Sequence, residues 1–371
     1  MSTVPTPTPS TDPAPSSVPA PAPHTTPTAD GSVRAVEVVL PGVVEPDGLQ
    51  VRTRDLPAPG RGEALVAVQA TGISFAEQAM RRDRYPGQPR FPFVPGYDVV
   101  GTVVATGSGA GGVRVGQRVA ALTKTGGWAS HVLLPAADLL PVPEGLDAAE
   151  VETFVVNGIT AWQMLHRTAR VRSGQVVLVQ GANGGVGTTL AQLARHHGVR
   201  VIGAARPQHH EALRALGVEP VDPGDPEAMD ARVRELAPGG VDAVFDILGG
   251  PTLRRSWGLL APGGSLVSSS IASVTSGNLV LAFLRLLLRL AVWDVAPNGR
   301  HAGFYDIWAG HRTRPRRFRA HLRTDLTAAL ALLASGDLVP QVAARLPLVE
   351  AADGLRLAEA RTRVGKVVLL P

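Results

Sequence analysis

The amino-acid sequence predicts an α/β protein in which a β-rich domain precedes a domain with a doubly wound parallel sheet. Residues 32 to about 154 consist of short strand-like runs separated by Gly and Pro, whereas strand-like and helix-like segments alternate after residue 155. The stretch GANGGVG follows the first strand of the alternating part and opens its first helix. The length of 371 residues is sufficient for about two domains.

Residues 1–30 differ from the rest of the chain in composition. They repeat Pro, Thr, Ala and Ser and contain no aromatic residue. Such a segment buries too little apolar surface to offset the entropy lost on ordering. It also lacks the basic start and the apolar run of a signal peptide. We therefore expect a disordered tail at 1–30 and a cytoplasmic protein whose folded part divides into segments 31–154, 155–300 and 301–371.

The β-rich segment contains strands of β-branched and small apolar residues. Gly and Pro separate them, as in an irregular barrel or sandwich. The predicted strands are VRAVEVVL, EALVAVQA, VVGTVVAT and QRVAAL.

The alternating segment consists of repeated strand–helix units, the pattern of a parallel sheet with helices on its faces. Its strands are QVVLVQ, VRVIGA, VDAVFDIL and GSLVSS, and its helices are predicted over 185–197, 207–216, 226–236 and 251–260. The C-terminal stretch adds a helix at TDLTAALALLASG, a helix around 350–360 and a closing strand at GKVVLLP.

The most apolar stretch is LVLAFLRLLLRLAVW at 279–293. It is too short to span a bilayer, and Arg285 and Arg289 interrupt it. We expect a buried or pocket-covering helix there and no membrane anchor.

Composition excludes several kinds of site. The chain has no cysteine, which excludes disulfides, thiolate nucleophiles and zinc sites with thiolate ligands. Adjacent histidines such as His196 and His197 point in different directions on a helix and chelate poorly, so no metal site is expected. The net charge is +5, and the densest basic run is HRTRPRRFRAHLR at 311–323. Its single aromatic residue, Phe318, favours a solvated helix start over a nucleic-acid patch.

The glycines between strand QVVLVQ and the next helix indicate a dinucleotide site. Three of the four are spaced three residues apart, which gives a tight turn, a close approach of backbone to an anion and close packing of helix on strand. The free amides and the positive end of the helix dipole face that anion. We predict that this Rossmann-type corner binds the pyrophosphate of a dinucleotide, through Gly181, Asn183, Gly184, Gly185, Val186 and Gly187.

The end of the second strand of this unit indicates which dinucleotide is bound. NAD sites place Asp or Glu there, about 20 residues after the glycines, to accept the ribose hydroxyls. This chain has Arg206 in the stretch GAARPQHHE, and the first acid, Glu211, lies in the next helix. An arginine attracts a 2′-phosphate through paired hydrogen bonds, so NADPH is the predicted cofactor. The alternative interpretation of Arg206 is an exposed loop cation.

Several ordered motifs give the chain a family resemblance. They are ATGISFAEQAMRRDRYPGQPRFPFVPGYDVVG, NGITAWQML, QGANGGVGTTLAQLARHHG, VDAVFDILGG, the pair Gly263–Gly264 and GKVVLLP, and they extend over nearly all of residues 32–371. In these motifs the chain resembles the medium-chain dehydrogenase/reductase superfamily, in its quinone oxidoreductase (zeta-crystallin-like) branch. The resemblance implies a GroES-like catalytic domain, a Rossmann domain, a C-terminal segment that returns to the catalytic domain, and an active site in the interdomain cleft.

The resemblance also implies chemistry without zinc. Zinc-containing relatives carry a Gly-His-Glu motif and cysteines, whereas the matching place here is Gly96-Tyr97-Asp98. The usual reaction of the branch is hydride transfer from NADPH to the β-carbon of an activated alkene or to a quinone, followed by protonation of the enolate. Binding the developing oxyanion is then the main contribution of the protein. The expected partners are a small-molecule substrate and a second copy of the chain in a homodimer, with neither nucleic acid nor membrane.

Two residues are candidates for contact with the substrate. Tyr85, in a stretch like the Arg-x-x-x-Tyr-Pro of the family, matches a pocket position where it would donate a proton or a hydrogen bond, or else be an aromatic plug beside Pro86. Ser74 stands where the family usually has asparagine, and Glu77 where it usually has aspartate. These departures weaken the case for quinone reduction in particular. Ser74 is expected either to hydrogen-bond the substrate or to cap a helix or turn.

Five further residues have both a site interpretation and a structural one. Asn157 and Thr160 match the helix start beside the nicotinamide, with helix capping as the structural alternative. Asp246 lies at the carboxyl end of a strand, where cofactors bind in such folds, or else caps the following helix. Asp98 fits a structural place in its turn better than a catalytic one. Lys366 matches the terminal Gly-Lys-Val-Val strand of the family, and its default interpretation is a surface cation at the entry of that strand.

Two functions are compatible with these observations. The first is an NADPH-dependent reductase of quinones, enones or related conjugated carbonyls, in the role of a biosynthetic tailoring enzyme. The second is a nucleotide-binding interaction protein with little or no redox turnover, which the tail and the arginine run favour. The intact GANGGVG and NGITAW motifs favour the reductase.

Overall fold

The computed structural model describes residues 31–250, 252–269 and 279–371, so the tail predicted at 1–30 lies outside the described residues. The model confirms the α/β prediction with a β-rich part and a parallel-sheet part. The elements of the β-rich part are β1 (Val33–Val39), β2 (Gln50–Leu56), β3 (Glu63–Ile73), α1 (Phe75–Arg81), β4 (Asp98–Thr106), β5 (Arg118–Leu122), β6 (His131–Pro135) and β7 (Leu140–Pro141).

The parallel-sheet part follows a long connecting helix. Its elements are α2 (Ala148–Trp162), β8 (Val176–Gln180), α3 (Gly185–His196), β9 (Arg200–Ala204), α4 (His210–Ala215), β10 (Glu219–Val221), α5 (Pro226–Leu236), β11 (Val241–Asp246), α6 (Thr252–Gly258), β12 (Leu260–Ser268), α7 (Leu279–Val295) and β13 (His301–Phe304). Strands β8, β9 and β11 are nearly continuous apolar runs because helices cover both faces of a parallel sheet.

The C-terminal segment completes both parts of the molecule. It contains α8 (Pro315–Ala334), β14 (Val342–Pro347), α9 (Ala351–Ala360) and β15 (Lys366–Leu370). The parallel sheet has the order β10-β9-β8-β11-β12-β13, and the sheet of the β-rich part has the order β14-β15-β3-β4-β5-β7 with β6 paired to β3. Because β15 pairs with β3, the end of the chain returns to the β-rich part.

Two boundaries differ from the prediction. The β-rich pattern predicted to about residue 154 ends earlier, because α2 begins at Ala148. The Asp147 side chain caps α2 by accepting a hydrogen bond from Glu150 N at 3.0 Å. The β-branched run of α2 resembles a strand, but it is a helix buried on nearly all sides. Strand β13 pairs with β12, so the parallel sheet extends beyond the predicted boundary at residue 300.

Helix α7 confirms the pocket-covering helix predicted for the apolar stretch. Leu286 and Leu290 are buried in the core beside the parallel sheet, and Phe283 and Leu287 line the large cleft described below. No helix in the described part of the chain is long and apolar enough to cross a membrane.

Candidate active site in the cleft between the two parts

A cleft of about 1090 Å³ lies where the β-rich part meets the parallel sheet. Strand β8 has β9 on one side and β11 on the other, which makes its carboxyl end the switch point where parallel sheets bind ligands. Gly181 follows β8 and Ile247 follows β11, and both line the cleft. Ser74 and Tyr85 line it from the β-rich part. The structure therefore brings both predicted substrate residues and part of the predicted cofactor residues into one space.

Glycine is needed at different positions of the corner for different reasons. Gly181 has φ +72°, a conformation that side chains rarely adopt. Gly184 is the N-cap of α3, so the amides of the helix's first turn, from Gly185 to Gly187, face outward without partners inside the helix. A Cβ on Gly187 would lie 2.4 Å from the Gly181 carbonyl oxygen, which shows how closely α3 packs on the turn.

Asn157 presents an unsatisfied donor to this corner. Its Nδ2 is buried and has no hydrogen-bond partner among the described residues. A Cβ on Gly185 would lie 2.3 Å from that atom, so the amide sits directly against the backbone at the start of α3. An orphaned buried donor beside free backbone amides fits a polar, anionic ligand such as a dinucleotide.

The prediction of a helix start at NGITAW was wrong, because Asn157 and Thr160 lie well inside α2. Neither side chain caps the helix, whose N-cap is Asp147. Both residues line the cleft. The cause of the error is local: the β-branched residues before Asn157 conceal the first turns of the helix.

Arg206 lies at a smaller cavity of about 210 Å³ that adjoins the cleft. The two spaces share Gly181, Asn183, Leu248 and Arg361. Arg206 is exposed at the carboxyl end of β9, and Arg361 ends α9 with φ 53°. Two guanidinium groups therefore border the cavity next to the glycine corner.

Arg361 was missed by sequence reasoning because it belongs to the C-terminal segment. Gly365 N donates to the Asn183 carbonyl at 3.1 Å, which holds this segment against the corner. His209 Nε2 lies 3.1 Å from the Arg361 carbonyl oxygen and ties the two sides of the smaller cavity together. No local pattern around Arg361 indicates this neighbourhood.

Three aromatic side chains form a hydrogen-bonded wall of the cleft. The hydroxyl oxygens of Tyr85 and Tyr97 lie 2.6 Å apart, and Trp308 Nε1 donates to Tyr97 Oη at 2.5 Å. Burial raises the pKa of Tyr85 to about 12, so its phenol is protonated at neutral pH. This hydrogen bond shows that Tyr85 has a polar contact in addition to the packing expected of an aromatic plug. Tyr97 and Trp308 were missed, since a tyrosine in a Gly-Tyr-Asp turn carries no signal of its own.

Ser74 is the N-cap of α1. Its Oγ accepts from Ala76 N at 3.0 Å and lies 2.5 Å from Glu77 Oε2, which also accepts from Ser74 N at 2.7 Å. This reciprocal arrangement is a capping box. The Glu77 carboxyl is buried, which raises its pKa. The contacts of Ser74 therefore match the capping interpretation, although the residue also lines the cleft.

Asp246 does not line the cleft, contrary to the predicted cofactor contact. Its carboxylate is fully buried and accepts from Leu248 N at 2.9 Å and Gly249 N at 2.8 Å, and Thr252 Oγ1 lies 3.2 Å away. These bonds shape the loop that leads into α6. The structural alternative for Asp246 is the one that its contacts support.

Lys366 is buried, which corrects the expectation of a surface cation. Its Nζ lies 2.9 Å from Asp98 Oδ2 and 2.5 Å from Glu152 Oε1. Asp98 also accepts from Val156 N at 2.9 Å, so it joins β4, α2 and β15 and is structural, as expected. Burial raises the pKa of Glu152 well above its usual value.

Within the ranges that the structure describes, no three His, Asp or Glu side chains cluster closely enough to hold a metal ion. At the place of the Gly-His-Glu motif of zinc-containing relatives, the Tyr97 side chain belongs to the aromatic wall instead.

Comparisons with known proteins agree with this architecture. Residues 60–144 match the alcohol dehydrogenase GroES-like domain, and residues 216–369 match the family described as zinc-binding dehydrogenase. The synaptic vesicle membrane protein VAT-1 homolog of Rattus norvegicus is 33% identical over 335 residues, which cover 87% of this chain and 80% of that protein.

Two solved structures extend the similarity to the whole fold. Mycobacterial Rv1454c, solved in complex with NADPH, is 30% identical with a TM-score of 0.78, over 91% of this chain and 100% of that one. A quinone oxidoreductase of Pseudomonas syringae is 26% identical with a TM-score of 0.77, over 91% of this chain and 100% of that one. The chain therefore belongs to the medium-chain dehydrogenase/reductase superfamily of oxidoreductases, in its zinc-independent quinone oxidoreductase branch.

Proposed function

We propose that the protein is an NADPH-dependent reductase that delivers a hydride to a quinone, an enone or a related conjugated carbonyl. One observation carries the proposal: the glycine corner with its orphaned Asn157 amide and the Tyr85 hydroxyl line one continuous cleft. A candidate cofactor site and a hydrogen-bond donor for a carbonyl oxygen are thus within the same cleft.

The residues of the corner fit NADPH. The amides of Gly185, Val186 and Gly187 at the start of α3 suit its pyrophosphate. Arg206 and Arg361 at the smaller cavity suit the 2′-phosphate of the adenosine ribose. The solved NADPH complex of the 30% identical mycobacterial relative supports the same assignment.

The chain's own residues supply the remaining chemistry. When bound, NADPH supplies the hydride. The Tyr85 hydroxyl donates a hydrogen bond to the substrate oxygen as negative charge develops on it. Apolar side chains line the same space and lower its polarity, namely Phe283, Leu287, Phe304 and Ile307. In such a low-dielectric setting one fixed donor stabilises an oxyanion more than it would in water.

The apolar wall favours a small lipophilic carbonyl compound. Such substrates include intermediates of secondary biosynthesis, and we propose a tailoring role of that kind.

The test is consumption of reduced nicotinamide in the presence of a panel of quinones and α,β-unsaturated ketones. We expect NADPH consumption with at least one class and little with NADH. The Gly184→Val variant is the matched control, since it should remove cofactor binding while the protein stays folded. NADPH binding without consumption across the panel would favour the interaction protein over the reductase.

A further inference from the structure

The aromatic wall of the cleft is a directional chain of hydrogen bonds. Trp308 Nε1 has only a hydrogen to give, so it donates to Tyr97 Oη, 2.5 Å away. Tyr85 Oη lies 2.6 Å from the same oxygen. One hydrogen lies between the two hydroxyl oxygens, and either Tyr85 or Tyr97 can provide it.

Donation from Tyr97 to Tyr85 gives the Trp308 N–H and the Tyr97 hydroxyl hydrogen an acceptor each and leaves the Tyr85 hydrogen for the cleft. Tyr97 is only 4% exposed, so if Tyr85 were the donor, the Tyr97 hydrogen would have to find another acceptor in a buried place. A buried donor without a partner costs about 1–3 kcal/mol. A hydroxyl that accepts one hydrogen bond also becomes a better donor in the next. Both effects favour the order Trp308 to Tyr97 to Tyr85.

The three rings are held in place by their neighbours. Trp308 stacks on Phe318 with centroids 5.9 Å apart, and its backbone N–H donates to Asp306 Oδ1 at 2.9 Å. Tyr97 meets Tyr85 edge to face at 5.8 Å and Trp308 at 6.0 Å. The wall is therefore a fixed arrangement that joins the segment after β13 to the β-rich part.

We infer that Trp308 and Tyr97 are positioning residues that turn the Tyr85 hydroxyl hydrogen into the cleft, where it donates to the oxygen of the carbonyl substrate. This inference rests on the proposed function. Tyr85 donates a hydrogen bond and keeps its O–H bond; the enolate or quinol anion left by hydride transfer takes its proton from water. Burial first, and the nearby negative charge of Asp306 in addition, raises the pKa of both phenols, so Tyr85 is a donor at neutral pH.

A double-mutant cycle tests this series of hydrogen bonds. Trp308→Phe removes the N–H and keeps a ring, and Tyr97→Phe removes the middle hydroxyl. We expect each to lower kcat for the carbonyl substrate about three- to tenfold and leave KM for NADPH unchanged. In a Tyr85→Phe background neither should cause a further loss, because both act through Tyr85. Additive losses would show that Trp308 and Tyr97 act through packing and would overturn the inference.

A binding measurement separates this inference from the proposed function. The probe is 4-nitrophenolate, which presents an anionic oxygen and needs no turnover. We expect wild-type protein to bind it about three- to tenfold more tightly than each of the three single variants, and Trp257→Phe, outside the cleft, to bind like wild type. Such binding without carbonyl reduction would support the hydrogen-bond order Trp308 to Tyr97 to Tyr85 and contradict the reductase function. Carbonyl reduction together with probe binding that none of the three substitutions changes would contradict the hydrogen-bond order alone.

Discussion

At the residue scale, two glycines at the turn from β8 into α3 are required for different reasons. Gly184 has φ −79°, and a Cβ there would meet only the Gly181 carbonyl oxygen at an ordinary 3.5 Å. Gly187 has backbone atoms within 2.4–3.0 Å of the same added atom. One glycine leaves space for a ligand, and the other leaves space for the protein itself.

Valine at these two positions should therefore separate binding from stability. Gly184→Val should abolish NADPH binding by filling the space of the phosphate, with the free energy of unfolding nearly unchanged. Gly187→Val should lower the free energy of unfolding by about 1–3 kcal/mol through overpacking. Cofactor titration and chemical denaturation of both variants measure this. Unchanged NADPH affinity in folded Gly184→Val protein would contradict the pyrophosphate assignment.

The choice between NADPH and NADH should depend on Arg206. A charge-assisted hydrogen-bond pair to a 2′-phosphate contributes about 1.5–3 kcal/mol, and 1.4 kcal/mol is about one decade in affinity. Arg206→Ala should thus weaken NADPH binding roughly tenfold to a hundredfold and leave NADH binding nearly unchanged. Exposed Arg214 on α4 provides the control substitution to Ala. Equal losses for both cofactors would mean that Arg206 has a structural role.

At the scale of elements, α2 joins the cleft to the C-terminal segment. After Trp162 it continues as a π-helical turn, Gln163–Thr168. Gln163 Nε2 and Arg167 donate to the buried carboxylate of Asp325 on α8 at 2.7 Å and 2.5 Å. Such turns often occur at functional sites, and this one fixes the helix that carries Asn157 and Thr160.

The same turn should make stability depend on pH through His166. Burial, followed by the charge of His197, lowers the pKa of His166 from 6.5 to about 4. The unfolded chain then binds more protons than the folded one between about pH 6.5 and pH 4. Stability from this group is fully present above pH 6.5 and is lost as pH falls toward 4.

Replacing His166 with Gln should make the free energy of unfolding fall less steeply between pH 6.5 and pH 4. Denaturant titrations at several pH values measure the slope, and His301→Gln, at an exposed histidine, serves as the control. Identical slopes for wild type and His166→Gln would show that this imidazole does not titrate differently on folding.

Elements and site residues differ in how far the sequence predicts them. The apolar run of β8 and the glycine spacing that follows it are both local signals, so the sequence predicts the strand and the corner. Strands β10 and β13 have three and four residues, too few for any periodicity. Arg361 and Trp308 reach the cleft only because distant segments pack together, and no local pattern reports that. Lys366 was misjudged for the same reason, since its burial depends on the pairing of β15 with β3.

At the scale of the whole molecule, a buried ionic cluster fastens the end of the chain beneath α2. Lys366 on β15 binds Asp98 on β4 and Glu152 on α2, all nearly inaccessible to solvent. Removal of the lysine leaves two buried carboxyls without their cation, which costs about 3–5 kcal/mol. Because β15 follows Arg361 and Gly365, the cluster also holds the cofactor side of the cleft.

Lys366→Met should therefore lower the free energy of unfolding by about 3–5 kcal/mol, measured by denaturant titration. Lys124→Met, at the other lysine of the chain, should change it little, because Lys124 is only partly buried. A loss below about 1 kcal/mol for Lys366→Met would contradict the structural role of the cluster.

The most direct test of the proposed function is transfer of deuterium from NADPH that carries deuterium in place of both hydrogens at the nicotinamide C4. The product of an enone accepted by the enzyme would be analysed by mass spectrometry and NMR. We expect deuterium on the carbon β to the carbonyl, with none transferred by Gly184→Val protein. An unlabelled product, or no product from any quinone or enone while NADPH is bound, would contradict the proposal that this cleft reduces conjugated carbonyls.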